Sequence, residues 1–414
     1  MRILFLTQWF APEPHFKGLP FALELQRRGH QVVVLTGFPN YPGGRLYPGY
    51  RLRLWQRETI SGVPVVRVAL YPSHSKSAFG RALNYLSFAV SAAVLGPFLV
   101  GPADVAYVYH PPATIGLPAL CWQWLWRMPS VYDVQDLWPD TLAATGMVRS
   151  SLLLSVIGVW SNFVYRRMEH LVVLSPGFRD SLIRRGVHPR LVSVIYNWSP
   201  DVGSFGDAPL LSEAERPLLS GRFNVLFAGN MGPAQALESV LMAAKLAYET
   251  APEIQFVFVG GGVALGELKA YAKAEGIKNV VFLPRRAAAE MPALYSVSDA
   301  LLVHLKDDPL FEITIPSKTQ TYLAAGRPII MAVRGDAAEL VRRSRAGICC
   351  SPEDPVGIAS AVLQLFSSPS LVRDQMGLSG REFYRKNLDM AERVGDFECL
   401  FDLFARRDGC SSVV

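Results

Sequence analysis

One short segment of the chain has residue types and a spacing suited to binding an anionic substrate: Glu312, Ser317 and Lys318. Pro316-Ser317-Lys318 opens a segment with helical character, and proline suits the first position of a helix because its missing N–H costs nothing there. If Ile315 is the N-cap, it offers no side-chain oxygen to the first-turn amides. Those amides, the positive end of the helix dipole and Lys318 would then form an anion-binding site. Glu312 could accept a hydrogen bond from a sugar hydroxyl beside a bound diphosphate.

A strand, a loop, a helix and a second strand would position these residues. The apolar run 300–305 has strand character, Gly326 suits the end of the helix, and 328–331 begins another buried strand. Such a unit is also an ordinary crossover in a parallel sheet, with Lys318 in solvent and Glu312 on a loop. The spacing alone leaves these two interpretations equally open.

Asp136 is a second candidate for chemistry, since it follows the predicted strand 130–135 (SVYDVQ). Ligands of open α/β sheets bind beyond the carboxyl ends of the strands, which is where Asp136 would lie. Gly18 lies in a long loop after the first strand, but a single glycine is a weak phosphate-loop signal and is more typical of a turn. The Pro/Gly/aromatic segment 38–50 is too irregular for a core element, so we interpret it as a substrate-side loop.

The length of 414 residues predicts two domains, because single cores stop growing below that size. Strands and helices alternate in both halves, which indicates an α/β fold with two doubly wound Rossmann-like domains facing a cleft. We place the first domain at 1–200, a linker rich in Pro, Gly, Ser and acids at 201–221, and the second domain at 222–379. A C-terminal helix, 380–414, would cross back to the first domain.

The charge is unevenly distributed between the two halves. Residues 1–200 contain 19 Lys and Arg against 9 Asp and Glu, a net charge of +10, whereas residues 201–414 contain 22 against 26, a net charge of −4. A basic first half without a nucleic-acid motif favours a membrane surface as its partner. The five cysteines show no metal-ligand or disulfide spacing, which fits a reducing cytoplasm. The opening MRILFLT indicates a buried strand and not a signal peptide.

Three apolar segments of the first half strengthen the membrane hypothesis. Segment 82–103 has no charged residue over 22 positions, close to the length of a membrane span, but polar residues and Pro97 interrupt it. We therefore favour a helix of the first domain that is partly exposed to lipid. Segments 115–128, with three tryptophans, and 152–165, followed by two arginines, suit the same interface. The alternative is that all three are core helices of a large parallel sheet.

Seven motifs in one order carry a resemblance to a known family. They are QVVVLTGFPNYP, VQDLWPD, HLVVLSPGFRDSLIRRGV, VIYNW, FAGNMGPAQAL, FVGGG and PSKTQTYLAAGRPI. Together they resemble the retaining, GT-B-fold glycosyltransferases of family four. The similarity is greatest to the branch that makes bacterial surface polysaccharide such as O-antigen or capsule, which includes L-fucosamine transferases.

The resemblance implies a set of residues that bind a sugar nucleotide. They are Gly229, Asn230, Met231, Gly232, Gly260, Gly261, Gly262, Pro284, Arg285, Pro316, Ser317 and Lys318. The turn 229–232 would lie close to the donor phosphates, the glycines 260–262 beneath the nucleotide, and the backbone near Pro284 beside the base.

The resemblance also assigns catalytic roles to Glu312, Asp136 and His110. Glu312 matches the first glutamate of a paired-glutamate motif and would contact the donor sugar. Asp136, in the DLWP motif, and His110, at a strand end, would face the acceptor. A lone histidine before two prolines could equally cap the strand.

The chain departs from the family pattern at two places. The second glutamate of the pair would fall at 320, where this chain has Gln320, which cannot carry charge. The basic residue often found after the glycine turn is absent from 232–235. Lys318 is then the main candidate for neutralising the diphosphate, with Arg285 or Arg286 as helpers.

The function implied by the resemblance is transfer of a sugar from a UDP-sugar to a polyprenyl-diphosphate-linked saccharide with retention, in O-antigen or lipopolysaccharide synthesis. The sugar would be an N-acetylated hexosamine, with a 6-deoxy sugar as one option. The enzyme would be peripheral, on the cytoplasmic face of the inner membrane. No cofactor and no metal is expected, since no Asp-x-Asp motif follows a strand in the form that metal-dependent transferases use. A GT-B-fold UDP-sugar epimerase and a catalytically silent scaffold subunit remain alternatives.

Overall fold

The computed structural model describes residues 1–73, 78–199, 211, 213 and 215–405. The chain forms two compact units, Met1–Ile195 with Arg393–Val414, and Tyr196–Glu392. Most of the predicted linker, 201–221, lies outside the described residues.

The first unit is built on an eight-stranded sheet with the order β3-β4-β2-β1-β5-β6-β7-β8. Its strands are β1 (Arg2–Leu6), β2 (Gln31–Gly37), β3 (Trp55–Ile60), β4 (Val63–Val68), β5 (Val105–His110), β6 (Ser130–Val134), β7 (His170–Val173) and β8 (Val192–Val194). Its first helices are α1 (Leu19–Arg27), α2 (Ala78–Val100), α3 (Gly116–Trp126), α4 (Asp140–Ala144), α5 (Ser151–Arg167) and α6 (Pro176–Arg184). The central strands are parallel and are buried along their length, which explains why their sequences are mostly apolar.

The hairpin of β3 and β4 is the element that the sequence analysis missed. β3 pairs antiparallel with β4 at the edge of the sheet and alternates between exposed and half-buried residues. Ser61 and Gly62, both with positive φ, form the two-residue turn between these strands. Because WQRETI has little apolar character, its period does not predict a strand.

The second unit is built on a six-stranded sheet with the order β11-β10-β9-β12-β13-β14, in which all strands run parallel. The strands are β9 (Phe223–Asn230), β10 (Ile254–Gly261), β11 (Val280–Leu283), β12 (Ala300–His304), β13 (Ile329–Ala332) and β14 (Gly347–Cys349). The helices are α7 (Arg216–Leu219), α8 (Leu237–Thr250), α9 (Leu265–Ala274), α10 (Met291–Ser296), α11 (Pro309–Glu312), α12 (Ser317–Ala325), α13 (Asp336–Ser344), α14 (Pro355–Ser367) and α15 (Ser370–Asn387). Apolar clusters cover both faces of this sheet. The predicted α/β fold of two Rossmann-like domains is therefore confirmed.

The C-terminal segment contains two helices where one was predicted from residue 380. The first is the end of α15, and the second is α16 (Met390–Ala405). The prediction of one helix is wrong because Asp389 breaks it and its Oδ1 accepts a hydrogen bond from the Ala391 amide at 2.9 Å, which caps a new helix. Phe397 of α16 packs against Phe21 of the first unit, with ring centroids 5.2 Å apart.

Helices α2 and α5 carry a large exposed apolar surface, which we call the apolar face. Its exposed side chains are Phe79, Leu83, Leu86, Val90, Val94 and Phe98 of α2 and Leu152, Val156, Val159 and Phe163 of α5. They recur every three or four residues, so each helix presents one stripe. By length and composition, Phe79–Val100 could cross a membrane, and a third of its most apolar window is buried. The alternative that α2 and α5 are simply core helices is therefore wrong for their outward faces, which are exposed.

Candidate active site

Lys318 of α12 is a buried cation without a hydrogen-bond partner among the described residues. Its Nζ is buried, makes no hydrogen bond there, and lies 3.7 Å from the centroid of the Phe227 ring. Burial lowers the pKa of Lys318 to about 7. The aromatic ring stabilises the ammonium only in part, and an unpaired charge held out of water is costly. The surroundings of Lys318 therefore favour the binding of an anion.

The amino end of α12 adds backbone donors to this site. The helix begins at Ser317 with Pro316 as N-cap, and no side chain caps the first-turn amides. The prediction of Ile315 as N-cap is wrong by one residue, because Ile315 is buried and Pro316 has extended backbone angles. The predicted consequence holds for the amides of Ser317 and Lys318, since neither Ile315 nor Pro316 has a side-chain oxygen that could cap them. The Thr319 amide donates to the Pro316 carbonyl at 2.8 Å.

The structure gives a reason for one departure from the family pattern, the glutamine in place of a glutamate at position 320. Gln320 is buried one turn into α12, and in the orientation that satisfies both of its amide groups its nitrogen donates to the carbonyl oxygens of Pro316 and Ser317. These two distances are 2.9 and 3.0 Å. A glutamate carboxylate could not donate these bonds. Gln320 thus supports the first turn of the helix.

The glycine turn 229–232 lies beside Lys318. A Cβ at Gly229 would lie 3.4 Å from the Lys318 Nζ, and the φ of +138° at Gly229 also favours glycine. Gly229 pairs with Gly260 and Asn230 with Gly261 across β9 and β10. The structure therefore brings the predicted glycine turn, the glycines of β10 and the predicted lysine to one place.

Met231 and Gly262 continue this arrangement. The Met231 amide donates to the Gly261 carbonyl at 2.8 Å, and a Cβ at Gly262 would lie 2.2 Å from the Met231 carbonyl oxygen. The Met231 side chain is fully buried in the core. Its predicted contribution to ligand binding is thus confined to its backbone.

His304, at the end of β12, braces the glycine turn, and the sequence analysis missed it. Its Nδ1 donates to the Gln235 carbonyl at 2.6 Å, and its Nε2 accepts from the Glu353 amide at 3.0 Å. The Gln235 Oε1 in turn accepts from the Gly232 amide at 3.1 Å. Burial lowers the pKa of His304, which agrees with a neutral ring that both donates and accepts. A histidine ending an apolar strand is the signal that could have identified it.

Glu312 is exposed at the end of α11, and Gly335 fixes its backbone. Gly335 has a φ of +72°, and a Cβ there would lie only 1.9 Å from the Glu312 carbonyl oxygen. Only glycine avoids this clash, so the loop before α13 lies directly against the Glu312 backbone. The Glu312 carboxylate is thus presented to solvent from a fixed backbone.

Pro284 and Arg285 are exposed in the loop that follows β11. Arg286, one of the two helpers proposed for the diphosphate, forms an ion pair with Glu215. Arg285 has no ion pair within the described part of the chain and is the better of the two helpers.

All these loops leave the carboxyl edge of the second sheet. The chain proceeds from β9 to β10 on one side and later returns to place β12 on the other side of β9. This reversal is a topological switch point, where ligands of open α/β sheets bind. The anion site at Lys318 lies beside the end of β9, as that rule requires.

In the first unit, His110 ends β5 and is fully buried. Its ring lies 5.5, 5.7 and 6.2 Å from the ring centroids of Tyr132, Trp138 and Tyr165, and neither ring nitrogen bonds to another described residue. Burial lowers the pKa of His110 to about 3, so the imidazole is neutral near pH 7. Contact with a substrate would require these aromatic rings to move.

Asp136 follows β6 and is half-buried. Burial raises the pKa of Asp136 to about 6. Its carboxylate has no hydrogen bond or ion pair within the described ranges, which leaves its oxygens available to a hydroxyl donor. Because this pKa lies below 7, the group is mostly ionised at neutral pH and suits a hydrogen bond from a substrate hydroxyl.

Glu13 is a further residue of this edge that the sequence analysis missed. Its carboxylate accepts hydrogen bonds from the amides of Phe10, Asn40 and Tyr41 at 3.1, 2.8 and 2.7 Å. Burial raises the pKa of Glu13 to about 7. It joins the loop after β1 to the predicted substrate-side loop 38–50, so its role is to position that loop.

Lys17, on the same loop, is fully buried and pairs with Asp133 at 2.7 Å. We therefore assign Lys17 a structural role. In the described part of the chain, no group of three His, Cys, Asp or Glu side chains could hold a metal ion.

Two protein-family models match the chain and together cover most of it. The glycosyl transferase 4-like domain matches residues 19–198, and the glycosyl transferases group 1 domain matches residues 222–368. Their boundaries agree with the two compact units of the structure.

Two curated relatives carry related names. The chain is 25% identical over 236 residues to the probable glycosyltransferase WbjE of Pseudomonas aeruginosa, a match that covers 55% of this chain and 58% of WbjE. It is 23% identical to the putative colanic acid biosynthesis glycosyl transferase WcaI of Escherichia coli, covering 90% of this chain and 92% of WcaI.

Among solved structures, Anabaena HepE in complex with UDP-glucose superposes with a TM-score of 0.69 at 16% identity, covering 97% of this chain and 99% of HepE. At this identity the likeness establishes a shared fold.

Proposed function

Because the chain belongs to the glycosyltransferases that join a 4-like domain to a group 1 domain in a GT-B fold, we propose that it transfers a sugar from a UDP-sugar to a lipid-linked saccharide with retention. The buried Nζ of Lys318 supports the donor half of this proposal, because it lies beside the glycine turn and has no hydrogen-bond partner among the described residues. Helix donors and one cation in a single place match the chemistry of a diphosphate. HepE, which shares the fold, was solved with UDP-glucose, and this supports uridine as the nucleoside.

The proposed chemistry is positioning together with stabilisation of a leaving anion. Lys318 and the first-turn amides of α12 would stabilise the charge that develops on the diphosphate as the glycosidic bond breaks. The leaving diphosphate would take the proton of the acceptor hydroxyl, which fits front-side retention without a carboxylate nucleophile. Glu312 would hold the donor sugar, and no metal or cofactor is assigned to the site.

The acceptor half of the proposal depends on the first unit. Its net charge of +10 over residues 1–200 and the apolar face of α2 and α5 support reversible binding to a membrane surface. A polyprenyl-diphosphate-linked saccharide would be presented there. WbjE and WcaI carry names of glycosyltransferases, in the latter case of colanic acid biosynthesis, which supports surface polysaccharide, such as O-antigen, as the product. The donor sugar proposed is an N-acetylated hexosamine.

Transfer to lipid-linked and lipid-free acceptors tests this proposal. Several UDP-sugars would be offered with a polyprenyl-diphosphate-linked saccharide and with the same saccharide without lipid. We expect transfer from one UDP-sugar, faster to the lipid-linked acceptor. Equal rates on the two acceptors would remove the lipid from the proposal, and no transfer from any UDP-sugar would remove the donor.

Fractionation of cells tests the membrane part. We expect the protein in the membrane fraction at low salt, with high salt releasing one part and detergent the rest, because basic attraction is screened by salt and apolar insertion is not. Charge replacement of two apolar-face residues, Val94→Glu with Val159→Glu, should move it to the soluble fraction. Complete recovery of the unmodified protein in the soluble fraction at low salt would contradict the proposal.

The pH dependence of acceptor use tests Asp136. At saturating donor, kcat/KM for the acceptor should fall as the pH drops through about 6, because protonation removes the carboxylate that accepts the hydrogen bond of the acceptor hydroxyl. Asp136→Asn should lower kcat/KM and abolish this acid limb. An acid limb that is the same in Asp136→Asn would assign it to another group.

A further inference from the structure

The first unit contains an apolar pocket that no part of the proposed function yet uses. Its volume is about 440 Å³, within the range of small-molecule sites. It lies between the two stripes of the apolar face, with Ala82 and Leu86 of α2 on one side and Val156 and Trp160 of α5 on the other. Leu86 and Val156 are more than half exposed, so the pocket is continuous with the apolar face.

Hydrogen bonds fix two of its walls. The Trp160 Nε1 donates to the Ala113 carbonyl at 3.0 Å, so the indole has its polar group satisfied and turns apolar surface to the pocket. Thr114 donates to the Tyr85 carbonyl at 3.3 Å, which ties α2 to the segment after β5. An apolar pocket with satisfied polar groups favours a hydrocarbon ligand.

Arg81 is the one charged residue of this lining. Its guanidinium donates to the Met147 carbonyl at 3.4 Å, which places the positive charge at the Met147 side of the pocket. A ligand that fits the pocket therefore joins an apolar chain to an anionic group, since the chain would fill the interior and the anion would meet Arg81.

The pocket adjoins the predicted acceptor residue Asp136. Trp138, two residues after Asp136, lines the pocket, and its ring centroid lies 6.2 Å from that of Tyr85. Tyr85 lies four residues after Arg81 on α2, and both side chains line the pocket with Trp138. An anion at Arg81 would thus lie near the carboxylate proposed to meet the acceptor hydroxyl.

We infer that this pocket binds the isoprenoid segment of the acceptor lipid next to its diphosphate, with the diphosphate at Arg81. This inference rests on the proposed function, because it names the site of the acceptor lipid. A bound chain would fix the distance between the membrane surface and the saccharide and deliver the hydroxyl to Asp136. The apolar face would bind bulk lipid without selectivity, whereas the pocket would select the acceptor.

Farnesyl diphosphate, a short soluble isoprenoid diphosphate, is the probe for this site. Calorimetry with the purified full chain would compare the unmodified protein with Ala82→Phe, which fills the pocket from an exposed position, and with Arg81→Gln. Ala144→Phe, the same change at an exposed residue of α4 outside the lining, is the matched control. We expect Ala82→Phe and Arg81→Gln each to weaken binding about tenfold, Ala144→Phe to leave it unchanged, and farnesol to bind more weakly than the diphosphate.

Unaltered binding of farnesyl diphosphate to Ala82→Phe, or equally weakened binding to Ala144→Phe, would overturn the inference. Equal competition by dodecyl phosphate would overturn it too, by assigning the pocket to any phosphate-bearing chain. The shift in melting temperature produced by UDP, measured on all four proteins, verifies that each is folded and tests the donor site separately. Without a UDP shift in the unmodified protein, the proposed donor fails even if farnesyl diphosphate binds.

Discussion

Lys318→Met should lower the kcat/KM for the donor about ten- to hundredfold and raise the melting temperature of the ligand-free protein. Loss of a charge-assisted bond to a phosphate costs about 1.5–3 kcal/mol, which gives the range in rate. Stability should change in the opposite direction, because methionine removes a buried ammonium that makes no hydrogen bond within the described part of the chain. A structural lysine would lose stability on the same substitution.

The gain in stability should depend on pH. The pKa of Lys318 is about 7 in the folded chain and higher in the unfolded chain, so the unfolded state binds more protons between these values. The stability of the unmodified protein should therefore rise with pH above about 7, and the advantage of Lys318→Met should shrink. Lys278→Met, at an exposed lysine, is the control. Unchanged kcat/KM in a folded Lys318→Met protein would refute the assignment.

Glu312→Gln should lower transfer about 10²- to 10³-fold while leaving UDP affinity nearly unchanged. The size is that of removing one positioned hydrogen-bonding group whose contact with the substrate counts most in the transition state. Transfer and UDP affinity should respond differently because the two residues lie on different segments. Lys318 lies beside the glycine turn, whereas Glu312 is on α11, where its backbone contacts Gly335. We expect the substitution to affect contact with the donor sugar and not with the diphosphate.

Kinetics and calorimetry measure the two quantities separately for this variant. Glu249→Gln, at an exposed position of α8, is the matched control and should alter neither. If UDP affinity and transfer fell together in Glu312→Gln, then Glu312 would be a structural residue and not a ligand of the sugar.

The sequence predicts most of the fold because its buried parallel strands are short apolar runs bounded by glycine and proline. The strand predicted at 130–135 is observed as β6, Ser130–Val134, and Gly326 ends α12 with a φ of +70° as predicted. Strand β3 of the hairpin escapes prediction because an edge strand needs no apolar face. The break at Asp389 escapes because a single capping residue outweighs a continuing helical pattern.

The sequence predicts only those parts of the candidate site that are formed by residues close together in the chain. The anion site follows from the amino end of α12 and one lysine, both within a few residues. The burial of the Lys318 Nζ against Phe227 depends on residues about ninety positions away, which no local pattern contains. The same holds for the enclosure of His110 by aromatic rings and for the brace that His304 supplies to the glycine turn.

Calorimetry of UDP binding at pH 8, in two buffers of different ionisation enthalpy, tests whether Lys318 binds the diphosphate of a sugar nucleotide. At this pH UDP carries its full phosphate charge, whereas most of the ligand-free Lys318 is neutral. We expect UDP to bind, the unmodified protein to take up close to one proton, and Lys318→Met to bind UDP more weakly without proton uptake. Absence of UDP binding, or equal proton uptake by both proteins, would contradict this expectation.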